Sequence, residues 1–340
     1  MNEEKRNNMY PVTVIGAANM DISGFSSRPV NMADSNPGHV EYYPGGVGRN
    51  IAENLLRIGA DVRLVSVFGD DPSAQRLIDH SKSIGLDIGG SVFLSGASSS
   101  VYIALMDSNG EMRLALSDMS ILERLSPRDL EERADLIAKS SAILADAGLS
   151  GETLDFIPRR FTGSPIYLDP VSSRKAEKVR SFVGAFHTLK LSRMEASTLS
   201  GIELPPPEAI SRQAIKPCDK MEFSGAVSKT LRKGLEAAGA HFIRQGSKRV
   251  FITLGKTGVY FRSPADEFFY PIRQATPVNT TGGGDAFMAG IIYGTVHGME
   301  DRELLPFAAA MGAITVQSKM TVSPEMNLEL VQQRIRAQSE

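Results

Sequence analysis

Residues 279–287 read NTTGGGDAF, and this short stretch carries more structural information than any other in the chain. Three consecutive glycines, Gly282, Gly283 and Gly284, stand directly before the carboxylate of Asp285. Good helix formers and regularly spaced apolar residues follow the aspartate. The stretch therefore predicts a loop that passes into a helix, with the glycines at the helix N-terminus.

Such a helix start can hold an anion. Its first N–H groups have no partner inside the helix, the positive end of the helix dipole lies there, and glycines let a phosphate oxygen come close. Asp285 would then stand beside a bound phosphate, where it could accept the proton of an attacking hydroxyl. A glycine-rich turn with aspartate as an ordinary helix-start residue is the alternative that this stretch alone leaves open.

Composition limits the remaining possibilities. The chain has 340 residues, 42% of them hydrophobic and 22% charged, with a formal net charge of -2. No global positive field exists to hold nucleic acid or an anionic membrane, and no apolar run approaches the length of a membrane helix. The one cysteine, Cys218, and the spacing of the five histidines predict neither disulfides nor a histidine–cysteine metal site. We expect a cytoplasmic protein.

Strand patterns alternate with helix patterns along most of the chain, which predicts an α/β fold with a doubly wound, mainly parallel sheet flanked by helices. The first predicted strand lies in 11–21, where an apolar run ends at Gly16 and passes into a loop. The others are 61–69, 141–147, 165–170, 186–192 and 249–255, with a returning strand at 258–263. The predicted helices begin at 47 and 284 or span 73–84, 126–138, 151–161, 173–181, 193–200 and 226–239. We expect residues 1–340 to form a single domain.

Two segments interrupt this alternation. Residues 24–46 contain turn formers and predict loop and edge strand, and residues 98–118 predict a hairpin around Asn109-Gly110. The first run of the hairpin is apolar on both faces, so a ligand, a partner chain or both should cover it. The Pro-rich segment 202–225 predicts a surface insertion.

Further polar and glycine-rich groups stand at predicted strand ends and loops. Asn19 and Asp21 close the first strand, at the edge where ligands gather in open α/β sheets. PGGVGRN (44–50) places a second glycine cluster before a helix that contains Asn50. Acid and amide groups suit a neutral polyhydroxylated ligand, because each buried hydroxyl needs a partner. All of these residues are also common in turns, and the turn in TLGKTGVYF (253–261) could lie under a nucleotide or be a plain hairpin.

In combination, these motifs resemble the ribokinase-like, or PfkB, family of carbohydrate and nucleoside kinases over nearly the whole chain. The order is the N-terminal strand with its acid, GGVGRN, a two-stranded insertion, LGKTG and finally TTGGGDAF. The resemblance implies ATP-dependent phosphoryl transfer with Asp285 as catalytic base and Gly282, Gly283 and Gly284 as the anion hole. The residues that it implies in substrate binding are Asp21, Gly45, Gly46 and Asn50, and Asn19 is a further candidate from its place at the strand end.

The resemblance also implies a β-sheet lid built from 24–46 and 92–118, and a homodimer that forms through the lids. Within the family, segments such as NMADSNPG, NGEMRLALSDM and DPVSSRK are most similar to kinases that phosphorylate the 5′-hydroxyl of pseudouridine. Contacts to the nucleobase are then expected in the lid. The candidates for them are Ser98, Ser100, Asp118 and Met119.

Nucleotide and metal contacts follow from the same resemblance, with Mg²⁺ held through water by Glu195. The residues implied in ATP binding are Lys190, Ser192, Thr253, Gly255, Gly258 and Thr281. Three positions depart from the family pattern. Ser192 replaces the asparagine of an NxxE motif, Gly283 replaces an alanine, which we expect to cost only loop entropy, and Asn279 replaces an acid associated with a monovalent-cation site. The last departure argues against potassium activation.

Three other functions are alternatives to a kinase that phosphorylates pseudouridine. The same chemistry on another nucleoside, or on a sugar such as ribose, depends on lid residues that the sequence does not place. A non-catalytic nucleoside-binding regulator is suggested by Ser192 and Asn279, whereas the retention of Asp285 argues against it. A dinucleotide-dependent dehydrogenase is disfavoured, because VIGAANMD lacks the GxGxxG loop.

Overall fold

The computed structural model describes residues 11–207, 227–272 and 277–339. Its strands are β1 Val12–Ile15, β2 Asn19–Ser26, β3 Gly38–Gly45, β4 Val62–Val65, β5 Val67–Phe68, β6 Val92–Phe93, β7 Val101–Met106, β8 Met112–Asp118, β9 Ala142–Asp146, β10 Ile166–Asp169, β11 Thr188–Ser192, β12 Arg249–Thr253, β13 Val259–Arg262 and β14 Glu267–Tyr270. Its α-helices are α1 Val47–Arg57, α2 Pro72–Ile84, α3 Pro127–Glu131, α4 Ala134–Ile137, α5 Gly151–Arg160, α6 Ser173–Ala176, α7 Arg193–Ser200, α8 Lys229–Gln245, α9 Gly283–Val296, α10 Asp301–Val316 and α11 Leu328–Ser339.

The main sheet has eight strands in the order β14-β13-β12-β11-β10-β9-β1-β4. The six strands from β12 to β4 are parallel, and β13 and β14 add antiparallel to the far edge. Helices cover both faces: α1, α9 and α10 contribute to one hydrophobic core, and α5, α7 and α8 to the other. Neighbouring side chains of β1 divide accordingly, since Val14 lies in the first core and Ile15 in the second. The predicted α/β class is confirmed.

A smaller sheet has four strands in the order β3-β2-β7-β8. The predicted hairpin is confirmed, because β7 and β8 pair antiparallel. At its tip, Asp107 Oδ1 accepts the backbone N–H groups of Asn109 (2.8 Å) and Glu111 (3.0 Å). Gly110 follows with φ 79°, in the left-handed region that glycine adopts without strain.

Several boundaries differ from the prediction. The strand predicted in 11–21 ends at Ile15, close to the predicted end of its apolar run at Gly16, but the following residues form a further strand, β2, that joins the small sheet. Strand β6 pairs with β5 instead of with the small sheet, so residues 92–93 lie outside that sheet. The predicted helix 173–181 is only α6 followed by a 3-10 turn, and α8 runs six residues beyond its predicted end at 239.

The predicted insertion 202–225 lies mostly outside the described residues, and so does Cys218. Within the described ranges, no helix combines the length and apolar character that crossing a membrane requires.

Candidate active site

The predicted glycine-rich helix start is confirmed. Helix α9 begins at Gly283, its N-cap Gly282 has φ 84°, and no side chain caps it. A Cβ at Gly282 would lie 1.9 Å from the carbonyl oxygen of Thr321, so both the backbone conformation and the available space require glycine. The first N–H groups of α9 have no partner within the helix and can receive an anion.

The two following glycines have different neighbours. A Cβ at Gly284 would stand 3.4 Å from Nζ of Lys190, which places an ammonium group beside the helix start. A Cβ at Gly283 would lie 2.7 Å from Cγ1 of Val316. Glycine at this position therefore accommodates Val316 of α10, which is a packing reason that the sequence did not reveal.

Asp285 is buried in the first turn of α9. Its Oδ2 accepts a hydrogen bond of 2.8 Å from Nδ2 of Asn50. Burial and the nearby charge of Asp169 raise the pKa of Asp285 to about 7, although Lys190 and the Asn50 hydrogen bond oppose the shift. A carboxylate with a pKa near neutrality is suited to accept a proton at physiological pH.

A buried cluster of opposite charges lies beside it, at the carboxyl ends of β10 and β11. Lys190 Nζ is 2.6 Å from Asp169 Oδ2. Burial alone would lower the pKa of Lys190, but Asp169, Glu195 and Asp285 around it raise the pKa above its ordinary value. Lys190 thus stays a cation next to the glycine-rich helix start. Asp169 was missed from the sequence, where it only ends a strand before Pro170.

The candidate substrate residues Asn19, Asp21 and Gly45 lie together where β2 pairs with β3. Asn19 Nδ2 donates to Asp21 Oδ1 at 2.6 Å, and a Cβ at Gly45 would lie 2.4 Å from Asp21 Oδ2. Gly46 has φ 98° and packs against the carbonyl of Ala17. Burial raises the pKa of Asp21.

Asn50 connects this group to Asp285 through its hydrogen bond. Arg49 links Gly45, at the end of β3, to Asn50 in helix α1. The Arg49 guanidinium donates to the carbonyl oxygen of Gly45 (3.1 Å) and to Oδ1 of Asn50. Sequence reasoning missed Arg49, because an arginine in the first turn of a helix is usually solvated.

Asp146, at the end of β9, ties the glycine loop to the sheet. Its Oδ2 accepts the N–H groups of Ala17 (2.7 Å) and Gly48 (2.9 Å), and its Oδ1 accepts that of Gly148 (2.8 Å). The only sequence signal was an acid at the end of a buried strand. Its partner Gly48 is 98 residues away, so nothing local indicated the contact.

Two of the four predicted nucleobase contacts, Ser100 and Asp118, have different surroundings in the structure. Ser100 is buried, and its Oγ has no hydrogen-bond partner within the described residues. Asp118 is exposed and accepts a hydrogen bond of 2.8 Å from Ser120 Oγ. Strand register places Asp118 on the sheet face of Val101, opposite to the face of Asp21. The structure therefore does not bring Asp118 to the other substrate candidates.

Ser192 and Glu195 form a capping box at the start of α7. Ser192 Oγ accepts the Glu195 N–H at 3.3 Å, and Glu195 Oε2 accepts the Ser192 N–H at 2.7 Å. Burial raises the pKa of Glu195, against the opposing charge of Lys190. The serine that departs from the family's NxxE pattern thus has a definite structural role.

The remaining nucleotide candidates lie in two loops. Thr253 ends β12, where its Oγ1 donates to the carbonyl of Leu191 at 3.3 Å. Gly255 and Gly258 follow with φ 58° and 148°, and a Cβ at Gly258 would lie 2.5 Å from Cζ of Phe269. Both glycines are therefore required by the turn itself, whatever binds above it.

Asn279 and Thr281 belong to the loop before α9. Asn279 Nδ2 donates to the carbonyl of Lys319 (3.1 Å), and its Oδ1 accepts the N–H of Thr281 (3.0 Å). Both ends of the Asn279 amide are thus occupied by the protein. In the described part of the chain, no three His, Cys, Asp or Glu side chains converge as metal ligands.

Comparison with known proteins agrees with this geometry. The family described as pfkB family carbohydrate kinase matches residues 9–327. The chain is 34% identical over 319 residues to a pseudouridine kinase of Escherichia coli strain K12, covering 93% of this chain and 94% of the relative. A carbohydrate kinase from Agrobacterium tumefaciens has a TM-score of 0.78 at 24% identity, covering 96% of this chain and 97% of its own. The Arabidopsis thaliana ribokinase complexed with ribose and ATP has a TM-score of 0.76 at 19% identity, covering 96% and 99%. The two structures share the fold.

Proposed function

This chain belongs to the pfkB family of carbohydrate kinases, and we propose that it transfers the γ-phosphoryl group of ATP to the 5′-hydroxyl of pseudouridine. An ATP-dependent sugar or nucleoside kinase follows from the family. The observation that carries the proposal is the buried Asp285, placed in the first turn of a glycine-started helix with Lys190 beside it. The choice of pseudouridine is supported by the relative of that name, which aligns over 94% of its length.

The proposed reaction uses these groups in a definite order. Asp285 accepts the proton of the 5′-hydroxyl as its oxygen attacks the γ-phosphorus, and the bond to the β-phosphate oxygen breaks to release ADP. The N–H groups at Gly282, Gly283 and Gly284 stabilise the negative charge on the transferred group. Lys190 adds a fixed positive charge next to them. The reaction ends with the proton on Asp285, which its burial favours.

The nucleoside is held by Asn50, which bonds Asp285, and by the polar pair Asn19 and Asp21. Asn19, Asp21 and Asn50 offer carboxylate and amide partners for ribose hydroxyls, and Gly45 leaves room for the Asp21 carboxylate. These groups suit any ribosyl substrate, so another nucleoside or ribose itself is the alternative acceptor. Ser100, whose buried Oγ lacks a partner within the described residues, is the lid residue best placed to respond to a bound base.

A magnesium ion fits beside Glu195. Glu195 has Oε2 engaged in the capping box, so we expect it to hold Mg²⁺ through water, with phosphate oxygens supplying the direct ligands. When bound, the ion neutralises phosphate charge. We expect no requirement for potassium, because the Asn279 amide already bonds the carbonyl of Lys319 and the N–H of Thr281.

A substrate screen tests the proposed function. Purified protein is given MgATP with pseudouridine, uridine or ribose, with and without potassium, and ADP and phosphorylated product are measured. We expect pseudouridine 5′-phosphate to form fastest and potassium to change the rate less than about twofold. Turnover with ribose but not pseudouridine would overturn the substrate. Pseudouridine binding without any ATP consumption would instead favour the non-catalytic regulator.

We further infer that two copies of this chain pair through the small sheet. The register aligns Tyr42, Ile22, Ile103 and Leu116 in one row across the four strands, and Leu105 and Leu114 lie in the next row on the same face. Leu114 and Leu116 are each 62% exposed. A contiguous apolar face of this kind is unusual on a monomer and fits a second apolar surface.

Leu114→Glu/Leu116→Glu is expected to convert the dimer into a monomer, because the interface would have to bury two carboxylates. Sedimentation velocity of both proteins checks the change. The control is Phe93→Glu, which adds a charge at an apolar side chain of similar exposure, 52%, outside the small sheet. A monomeric parent protein, or a double variant that still dimerises, would contradict the proposed interface.

A further inference from the structure

A chain of polar contacts connects the proposed catalytic base to a charged pair inside helix α1. Arg49 and Glu53 lie one turn apart and are only 2% and 3% exposed. Arg49 donates to Glu53 and to Asn50 Oδ1, and Asn50 Nδ2 donates to Asp285 Oδ2 at 2.8 Å. At the outer end, His80 Nε2 donates to Glu53 Oε2 at 3.2 Å.

Stability does not explain why this pair is buried. Removing two charges from water costs about as much as their attraction returns, and well-packed apolar residues often replace a buried ion pair without loss of stability. The pair is nonetheless fully engaged: Arg49 Nε donates to the Gly45 carbonyl, and Glu53 Oε1 accepts Arg57 Nε at 2.8 Å. Burial would raise the pKa of Glu53, but hydrogen bonds from His80 and Arg57 and the charge of Arg49 lower it to about 2. Glu53 therefore remains an anion that balances Arg49.

What the pair determines is the orientation of the Asn50 amide. A guanidinium has only donors, so the end of Asn50 that faces Arg49 must be the acceptor Oδ1. The NH₂ end is then directed at Asp285 and favours its ionised form. With the amide reversed, Oδ1 would face Asp285 and favour the protonated carboxyl, which cannot act as a base.

We propose that Arg49 and Glu53 are positioning residues, which fix the Asn50 amide so that it donates to Asp285 and leaves the second carboxylate oxygen free to accept the substrate proton. This role rests on the proposed function, in which Asp285 is the base. The other charged groups that face Asp285 are Asp146, Asp169 and Lys190, from the ends of three neighbouring strands. They stay in place when the α1 pair is replaced.

The test replaces the pair as a unit, with Arg49→Met/Glu53→Leu, so that no unpaired charge is left between them. We expect kcat/KM for the nucleoside to fall about 10–100-fold, the range that a small misplacement of catalytic groups produces, and the acid limb of its pH profile to move to higher pH. Arg232→Met/Glu236→Leu removes an equivalent i,i+4 pair from the exposed face of α8 and is the control. It should change neither quantity.

A second readout needs no substrate. The carboxyl ¹³C resonance of Asp285, identified by its absence in Asp285→Asn, is titrated in parent and variant, and its midpoint should rise in the variant. Arg49→Lys keeps the charge but donates from a single nitrogen, which cannot replace the three guanidinium nitrogens that reach Gly45, Glu53 and Asn50. It should therefore shift the midpoint in the same direction even if the double variant does not fold. An unchanged midpoint in folded Arg49→Lys would overturn the positioning role. Absence of turnover in the parent would overturn the kinase function alone, because the titration would still report on the network.

Discussion

Replacing Asp285 by asparagine is expected to lower kcat by about 10²–10⁴-fold, the range for loss of a general base. Asparagine matches aspartate in shape and can keep a hydrogen bond to Asn50, but it cannot take the proton of the 5′-hydroxyl. Pseudouridine should bind with nearly unchanged affinity, because the contacts proposed for it are made by Asn19, Asp21 and Asn50. Steady-state kinetics and calorimetric titration of the nucleoside measure the two quantities separately.

The pH dependence of the stability of Asp285→Asn provides a second test, which does not depend on catalysis. The pKa of Asp285 is 3.8 ordinarily and about 7 in the folded protein. Between these values, the unfolded chain loses this proton while the folded protein keeps it, so the buried carboxyl destabilises the fold increasingly as pH rises. The melting temperature of Asp285→Asn relative to the parent should therefore increase from pH 4 to pH 7. A fully active variant would show that Asp285 is not the base.

Gly282→Ala is expected to abolish most activity and to destabilise the protein by more than about 2 kcal/mol. Its Cβ would overlap the carbonyl of Thr321, and a non-glycine residue is strained at φ 84°. The loop must move to relieve the overlap, and the N–H groups at the start of α9 then leave the positions in which we propose that they receive the γ-phosphate. Loss of such donors typically lowers kcat by about 10²–10³-fold. Thermal melting and steady-state kinetics measure both effects.

Gly298→Ala separates the effect of backbone strain from the effect of the overlap with Thr321. Gly298 has a similar φ of 72°, at the other end of the same helix, but a Cβ there would meet nothing within 4 Å. We expect a cost of about 1–2 kcal/mol from backbone strain alone, with kcat/KM unchanged. Equal effects of the two substitutions on activity would mean that the close approach to Thr321 has no role in phosphate binding.

Sequence patterns predicted the features of this protein that depend only on residues close together in the chain. The glycines and Asp285 fixed the start of α9 to within a residue, and Asn109-Gly110 located the hairpin turn. The end of the first strand near Gly16 was predicted, but the entry of the next residues into a second sheet as β2 was not. At this point the Ala17 N–H donates to Asp146, 129 residues further along the chain, a contact that no local pattern indicates.

The site residues that the sequence did not reveal were missed for the same reason. An arginine and a glutamate at i,i+4 usually form a solvated surface pair, and Arg49 and Glu53 are buried only because other parts of the chain pack over this face of α1. The bond from Asn50 to Asp285 joins residues 235 positions apart. Only the tertiary fold can show that one helix orients the proposed base on another.

The pH dependence of kcat/KM for pseudouridine, measured at saturating MgATP in the parent protein and in Asp285→Asn, tests the central claim most directly. We predict that the parent loses activity about tenfold per pH unit below pH 7, where Asp285 becomes protonated. The residual activity of the variant should lack this acid limb. An acid limb of the same midpoint in both proteins, or a flat profile in the parent from pH 5 to pH 8, would contradict Asp285 as the catalytic base.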